Sequence, residues 1–332
     1  MAEYINIRGQ SIEVVASDPA NPTLGQIWYN STSNTLKGEN FGAASWATGG
    51  NLNTARGNLA GCGILTAALA FGGATGPTGA NSSATEEYNG TSWATSPGSL
   101  NTARYALNGA GIQTAALAFG GEASPPITGA TEEYNGSTWT TSPGSLNTAR
   151  YILGGTGTQT AGLAYGGNTG TGFTAATEEY DGASWTAGGN LNTARAYMPG
   201  GAGTQTAGLA FGGYSSGTVA TGVTEEYNGT SWTSVNSLNT GRLGMGGDGI
   251  QTSALAFGGR NPPLTDLTAT ELYDGISWTT SPASLNTARA ELAGCGTQTA
   301  GLAFGGNQGP PFLAATEEFT GAAPTTVTIT AS

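Results

Sequence analysis

The sequence predicts an all-β fold: a β-propeller of six blades, preceded by a short β segment. Three observations predict it. One module recurs, marked by Phe/Tyr-Gly-Gly at Phe71, Phe119, Tyr165, Phe211, Phe257 and Phe304, while Trp46, Trp93, Trp139, Trp185, Trp232 and Trp278 step by 46 or 47 residues. A unit of that length cannot bury its own apolar face and must stack on its neighbours. Each module also holds four short strand-like runs, the content of one blade. Finally, 57 Gly and 14 Pro in 332 residues disfavour long helices. No Gly-X-Y period points to collagen, and 37% hydrophobic residues with seven Trp argue against disorder.

The opening 36 residues differ from the rest. Residues 2–15 alternate in places (YINIRG, SIEVVA) and are expected to pair as short strands, and 18–23 read as a proline-bearing linker. The stretch LGQIWYNSTSNTLKGE follows, with Trp28, Tyr29, a polar turn and Leu36. It resembles a hairpin motif of tailed-phage tail-fibre and other virion proteins. The resemblance covers about a dozen residues and implies either attachment to a virion component or a cap on the propeller.

Within a module, a glycine-rich first strand follows LNTAR or LNTGR, as over 105–111, and a tight Gly-Ile-Gln or Gly-Thr-Gln turn leads into the second. The second strand, TAALAF and its variants, is apolar enough to lie between two sheets. The third is the ATEEY run. Asn-Gly or Asp-Gly then makes a hairpin, since both residues tolerate positive φ. The fourth begins at the tryptophan and runs into the next LNTAR. Gly-Gly, then Tyr, then Trp, then Arg at this spacing resembles the kelch repeat, over roughly residues 36–332. That resemblance implies a six-bladed kelch-like β-propeller, and it carries far more about fold than about function.

The two ends look complementary. ENFGAASW at 39–46 matches EEYDGASW at 178–185, and Pro324 stands where the last module's tryptophan belongs. The segment around Trp46 is therefore expected to supply the outer strand of the blade holding Phe304. The alternating run at 325–330 is the other candidate for that place. The expected division is 1–36 as an attachment segment and 37–332 as a propeller closed by N- and C-terminal strands.

Two residues before each aromatic stands a glutamate: Glu39, Glu86, Glu132, Glu178, Glu225, Glu271 and Glu317. Arg56, Arg104, Arg150, Arg195, Arg242 and Arg289 repeat with the same period. A structural Glu–Arg bridge in each module explains this better than a metal-binding or acid/base carboxylate cluster, because catalysis breaks symmetry and this pattern keeps it. Cys62 and Cys295 occupy equivalent places in the first and sixth modules. They read as free buried thiols or as a disulfide locking the ring.

Variation gathers between Gly-Gly and TEEY, at 74–83, 122–130, 168–175, 214–222, 260–268 and 307–314. Up-down connectivity puts these loops on one face with the LNTAR connectors. Phe173, Tyr214, Arg260 and Phe312 are their aromatic and cationic content, types favoured at binding hot spots. Drift in unconstrained loops explains the variation as well. Asp266 and Glu122, in different blades, are the loop acids a glycosidase-like pair would need.

Histidine is absent, which removes imidazole catalysis, His-ligated metals and the copper chemistry of kelch-like galactose oxidases. Nine basic against 21 acidic residues, net −12, disfavour nucleic acid. No apolar run spans a bilayer and no secretory signal is visible at the start. The expectation is a non-enzymatic virion protein without cofactor or metal. Its partners are other virion proteins and a host surface receptor or glycan. The alternative is a cellular protein-interaction or carbohydrate-binding propeller, extracellular or on the cell surface.

Overall fold

The computed structural model describes residues 12–20, 26–76, 78–123, 126–198, 202–215, 219–261, 265–309 and 311–329. All regular elements among them are β-strands. The chain divides into two compact units, Met1–Ala44 with Gly321–Ser332, and Ser45–Thr320.

The larger unit has a β-propeller arrangement, with six four-stranded antiparallel sheets among the described residues. Sheets 1 to 6, in chain order, have inner strands Ala60–Ile64, Asn108–Ile112, Gly154–Thr158, Ala202–Thr204, Gly246–Ile250 and Ala293–Thr297. The second strands are Ala67–Phe71, Ala115–Phe119, Ala161–Tyr165, Ala207–Phe211, Ser253–Phe257 and Ala300–Phe304. The third are Thr85–Tyr88, Thr131–Tyr134, Thr177–Tyr180, Thr224–Tyr227, Thr270–Tyr273 and Thr316–Thr320. The outer strands start at Trp93, Trp139, Trp185, Trp232 and Trp278 in sheets 1 to 5, and sheet 6 takes Ser45–Thr48. Inner strands neighbour one another in cyclic order, the first meeting the last. The expected first strand at 105–111 begins later, at Asn108, because Tyr105 bridges to Glu122 instead.

Each sheet packs face to face on the next, so its second strand is buried on both sides after its first residue, as the largely apolar AALAF run requires. Glycine in the inner strand makes room for the neighbour's ring: a Cβ on Gly109 would lie 2.3 Å from Phe71 Cζ. Each tryptophan reaches one sheet back. Trp139 Nε1 donates to Thr85 Oγ1 at 2.9 Å, and its ring lies 4.9 Å from that of Phe71. Trp46 repeats this on sheet 5, with Thr270 Oγ1 at 2.9 Å and Phe257 at 5.0 Å. The Asn-Gly and Asp-Gly hairpins differ in detail from expectation. Only their glycines take positive φ, while the Asn or Asp side chain accepts backbone N–H groups two and three residues on, as Asn89 does from Thr91 and Ser92.

Ser45–Thr48 closes sheet 6, with Trp46 opposite Phe319. The competing segment does not fill that place: Pro324–Thr328 pairs with Thr35–Phe41 in the smaller unit. This also moves the expected boundary after residue 36, because Thr35–Phe41 is one unbroken strand across it. Glu39 accordingly leaves the repeating set. It accepts from Thr326 Oγ1 at 3.1 Å and meets no arginine of the repeat.

The smaller unit is a four-stranded sheet ordered Glu13–Val15, Ile27–Asn30, Thr35–Phe41, Pro324–Thr328. Glu13–Val15 runs parallel to Ile27–Asn30, and the expected hairpin Ile27–Phe41 is present. Most of the strand pair expected over 2–15 lies outside the described residues. Asp18 organises the linker: it accepts from Trp28 Nε1 at 3.1 Å and Asn30 Nδ2 at 2.7 Å, and pairs with Lys37 Nζ at 2.6 Å. Those donors, Lys37 first, hold its carboxyl down at about 2.

Candidate functional site

The repeated charges form one ion pair in each sheet: Arg56–Glu86 at 2.8 Å, Arg104–Glu132 at 3.1 Å, Arg150–Glu178 at 3.0 Å, Arg195–Glu225 at 3.3 Å, Arg242–Glu271, and Arg289–Glu317 at 3.1 Å. The arginines are fully buried. Each arginine enters from the connector, and its glutamate sits on the third strand of the same sheet. Glu86 also accepts the Asn53 backbone N–H at 2.6 Å, and Arg56 donates to the carbonyls of Gly72 and Ala84. Burial lowers the guanidinium pKa values against the pull of the carboxylates, to about 10 at Arg289. Six separate interiors hold these pairs, so their carboxylates do not converge on a substrate.

The second acid of TEEY has a function that sequence reasoning missed. Tyr134 Oη donates to Glu87 at 2.6 Å, Tyr180 to Glu133 at 2.5 Å, Tyr227 to Glu179 at 2.5 Å, Tyr273 to Glu226 at 2.8 Å, and Tyr88 to Glu318. Each bond joins a sheet to the one before it. At the contact of sheets 5 and 6 the two positions are Leu272 and Phe319. Carboxylate and hydroxyl are lost together there, and this joint change was the available signal.

Cys62 and Cys295 are free and buried. With Thr156 and Asp248 they line one end of the central channel. Burial pushes the Cys62 thiol up to about 12, and burial first, then Asp248, raises Cys295 as well. Asp248 is 3% exposed, and its carboxylate oxygens have no hydrogen-bond partner among the described residues. Burial alone drives its pKa far upward.

At the other end the connectors build a closed circle of backbone hydrogen bonds. Ala106 N–H donates to Asn58 O, Ile152 to Ala106, Tyr197 to Ile152, Gly244 to Tyr197, Glu291 to Gly244 and Asn58 to Glu291, at 2.6–2.9 Å. All six residues are left-handed, with φ of 48° to 59°. For the β-branched Ile152 this is a strained conformation, held because both neighbours in the circle fix it.

Around this circle the face splits into two arcs. One is aromatic: Tyr105, Tyr151, Phe173 and Tyr197 are half-buried over Ala106, Ile152 and Ala196. Tyr214 joins them edge-on, 5.7 Å from Phe173 and 6.4 Å from Tyr197. The other arc is polar: Asp266 pairs with Arg260 at 2.6 Å, Arg260 donates to Asn307 Oδ1 at 3.1 Å, and Asn307 and Asn58 donate to Glu291 Oε2 at 2.6 and 2.7 Å. Of the four expected binding residues, Phe173 and Tyr214 meet, and Arg260 anchors the polar arc. Phe312 bridges through its backbone to Asn307 of the polar arc, and its ring packs over Gly57, where a Cβ would come within 2.6 Å of it. Asp266 and Glu122 do not form a pair of acids, since Glu122 accepts from Tyr105 Oη at 2.8 Å. Glu291, Tyr105, Tyr151 and Tyr197 went unnoticed because they follow the arginines, outside the variable loops.

The fold is similar to a solved structure described as the structure of YjhT, with a TM-score of 0.68 at 12% identity over 83% of this chain and 99% of that chain. YjhT is a β-propeller-type protein, and the likeness extends to the fold alone. No family model matches the chain, and no curated protein matches it.

Proposed function

We propose that the chain is a non-enzymatic recognition protein of a bacteriophage virion: a tail-fibre or surface six-bladed kelch-like propeller whose connector-and-loop face binds a host receptor. The observation that carries this reading is the break in symmetry. The buried ion pairs and the Trp–Thr bonds repeat in every sheet, whereas the aromatic and polar arcs on the loop face occur once each. A scaffold held constant under a face that varies is the arrangement of a binding module. The titratable groups suit binding more than catalysis. The glutamates of the repeat are buried in ion pairs, and both thiols are pushed upward by burial. The hairpin Ile27–Phe41, with its tail-fibre resemblance, is the candidate attachment to other virion proteins.

Mass spectrometry of purified phage particles tests the virion assignment, and the peptide set of this chain is expected among the structural proteins. Its absence defeats that assignment and leaves a cellular binding propeller as the reading. Binding of the purified chain to intact candidate host cells tests recognition, and a face emptied by Tyr214→Ala with Phe173→Ala is expected to bind at least tenfold more weakly.

A further inference from the structure

We infer that the loop face takes a neutral saccharide, bound where the aromatic and polar arcs meet at Tyr197 and Glu291. The inference rests on the recognition reading and specifies its ligand.

The first support is the balance of charge. The chain has nine basic residues. Arg8 lies outside the described residues, and each of the other eight is paired with a carboxylate. The loop face therefore offers carboxylates at Glu122 and Glu291 with no uncommitted described cation. A net charge of −12 adds long-range repulsion of anions. Among the described residues, phosphate, sulfate and uronate or sialate groups find no free cation there to pair with.

The second support is the pairing of chemistries. Tyr197 and Glu291 line one cavity at this end of the channel, together with the other members of the backbone circle, and the Glu291 charge contributes, after burial, to raising the Tyr197 pKa. Among the described residues, the hydroxyls of Tyr151, Tyr197 and Tyr214 have no hydrogen-bond partner, although their rings are half-buried in one cluster. The Tyr197 phenol near a carboxylate that already accepts two amide N–H groups, with the Tyr151 and Tyr214 phenols near Tyr197, supplies both donors and acceptors. A pyranose ring presents what such a site needs: a C–H face to lie on the aromatic rings and a rim of hydroxyls to exchange hydrogen bonds. The donors and acceptors are also held rigid, because Asn58, Ile152, Tyr197 and Glu291 belong to the backbone circle. Little ordering entropy is then lost on binding.

The test uses the full chain on an array of neutral hexose and N-acetylhexosamine oligosaccharides, with matched sialylated and uronate-bearing ones. The strongest neutral hit then goes to titration calorimetry. Tyr151→Ala with Tyr197→Ala is expected to weaken binding at least tenfold, and Glu291→Gln severalfold. Ile276→Ala, an exposed change on a distant hairpin, is expected to have no effect. Tyr151→Phe with Tyr197→Phe keeps the rings and guards against a misfolded alanine variant; it is expected to bind more weakly than wild type with an unchanged melting curve. Binding confined to anionic glycans, or undiminished binding by the tyrosine variants, overturns the inference. If cells are bound but no glycan is, and periodate treatment of the cells leaves binding intact, the ligand is a protein: the saccharide is overturned while recognition stands. Absence of binding to cells and glycans alike defeats both.

Discussion

Arg104→Ala would leave Glu132 as a buried charge without its partner, and an uncompensated buried charge costs about 3–5 kcal/mol. Replacing both residues with apolar ones of similar volume is expected to cost less than the single change, and urea denaturation of the three variants checks this ordering. Asp248 provides the opposite case. Its folded pKa is raised far above the unfolded value, so the folded state favours the proton. Its contribution is full below the unfolded carboxyl pKa of about 3.9 and is lost as pH rises toward the folded value. Asp248→Asn is therefore expected to stabilise the protein at pH 7 and to narrow its advantage as pH falls toward 4, measured as the difference between paired denaturation curves. A curve shifted equally at both pH values contradicts the assignment. The ion pairs were legible because Arg and Glu share a period. The backbone circle was not: its members are Asn, Ala, Ile, Tyr, Gly and Glu, and what unites them is a left-handed φ, which no side-chain pattern records.

At the scale of elements, the third strand adds its own bond between sheets to the contacts of the tryptophans. The Tyr–Glu bond joins neighbouring sheets at five contacts, and Leu272 with Phe319 replaces it at the remaining one. Leu272→Glu alone would set a carboxylate against a phenyl ring and lower stability by about 1–3 kcal/mol, whereas adding Phe319→Tyr is expected to recover most of that loss. A double-mutant cycle reads the coupling directly, and simple additivity would show that the two positions do not meet. Strand order and hairpins were readable from the sequence because apolar runs and Asn-Gly turns recur at fixed offsets. The bond between sheets escaped notice because adjacent residues on a strand point to opposite faces, and both faces of these sheets are buried against neighbours.

For the whole propeller unit, closure depends on Ser45–Thr48. Trp46 meets Thr270 and Phe257 at nearly the distances at which Trp139 meets Thr85 and Phe71. Trp46→Ala and Trp139→Ala are therefore expected to cost similar amounts, about 3–5 kcal/mol each, in one cooperative melt. A much smaller loss for Trp46→Ala would mark this contact as a weak seam. The match of ENFGAASW to the repeat pointed to this closure, but the likeness runs one strand too far: Glu39 fits the pattern, yet its strand Thr35–Phe41 pairs with the C-terminal strand. The match also has a temporal side. Trp46 and Thr270 are 224 residues apart. A nascent chain leaving the ribosome at roughly 5–20 residues per second delivers the tryptophan roughly 10–45 seconds before its threonine. During that interval the strand can be captured by another copy emerging from the same message. Crowded polysomes would then yield interlocked pairs, and a slow stretch of codons would raise their share.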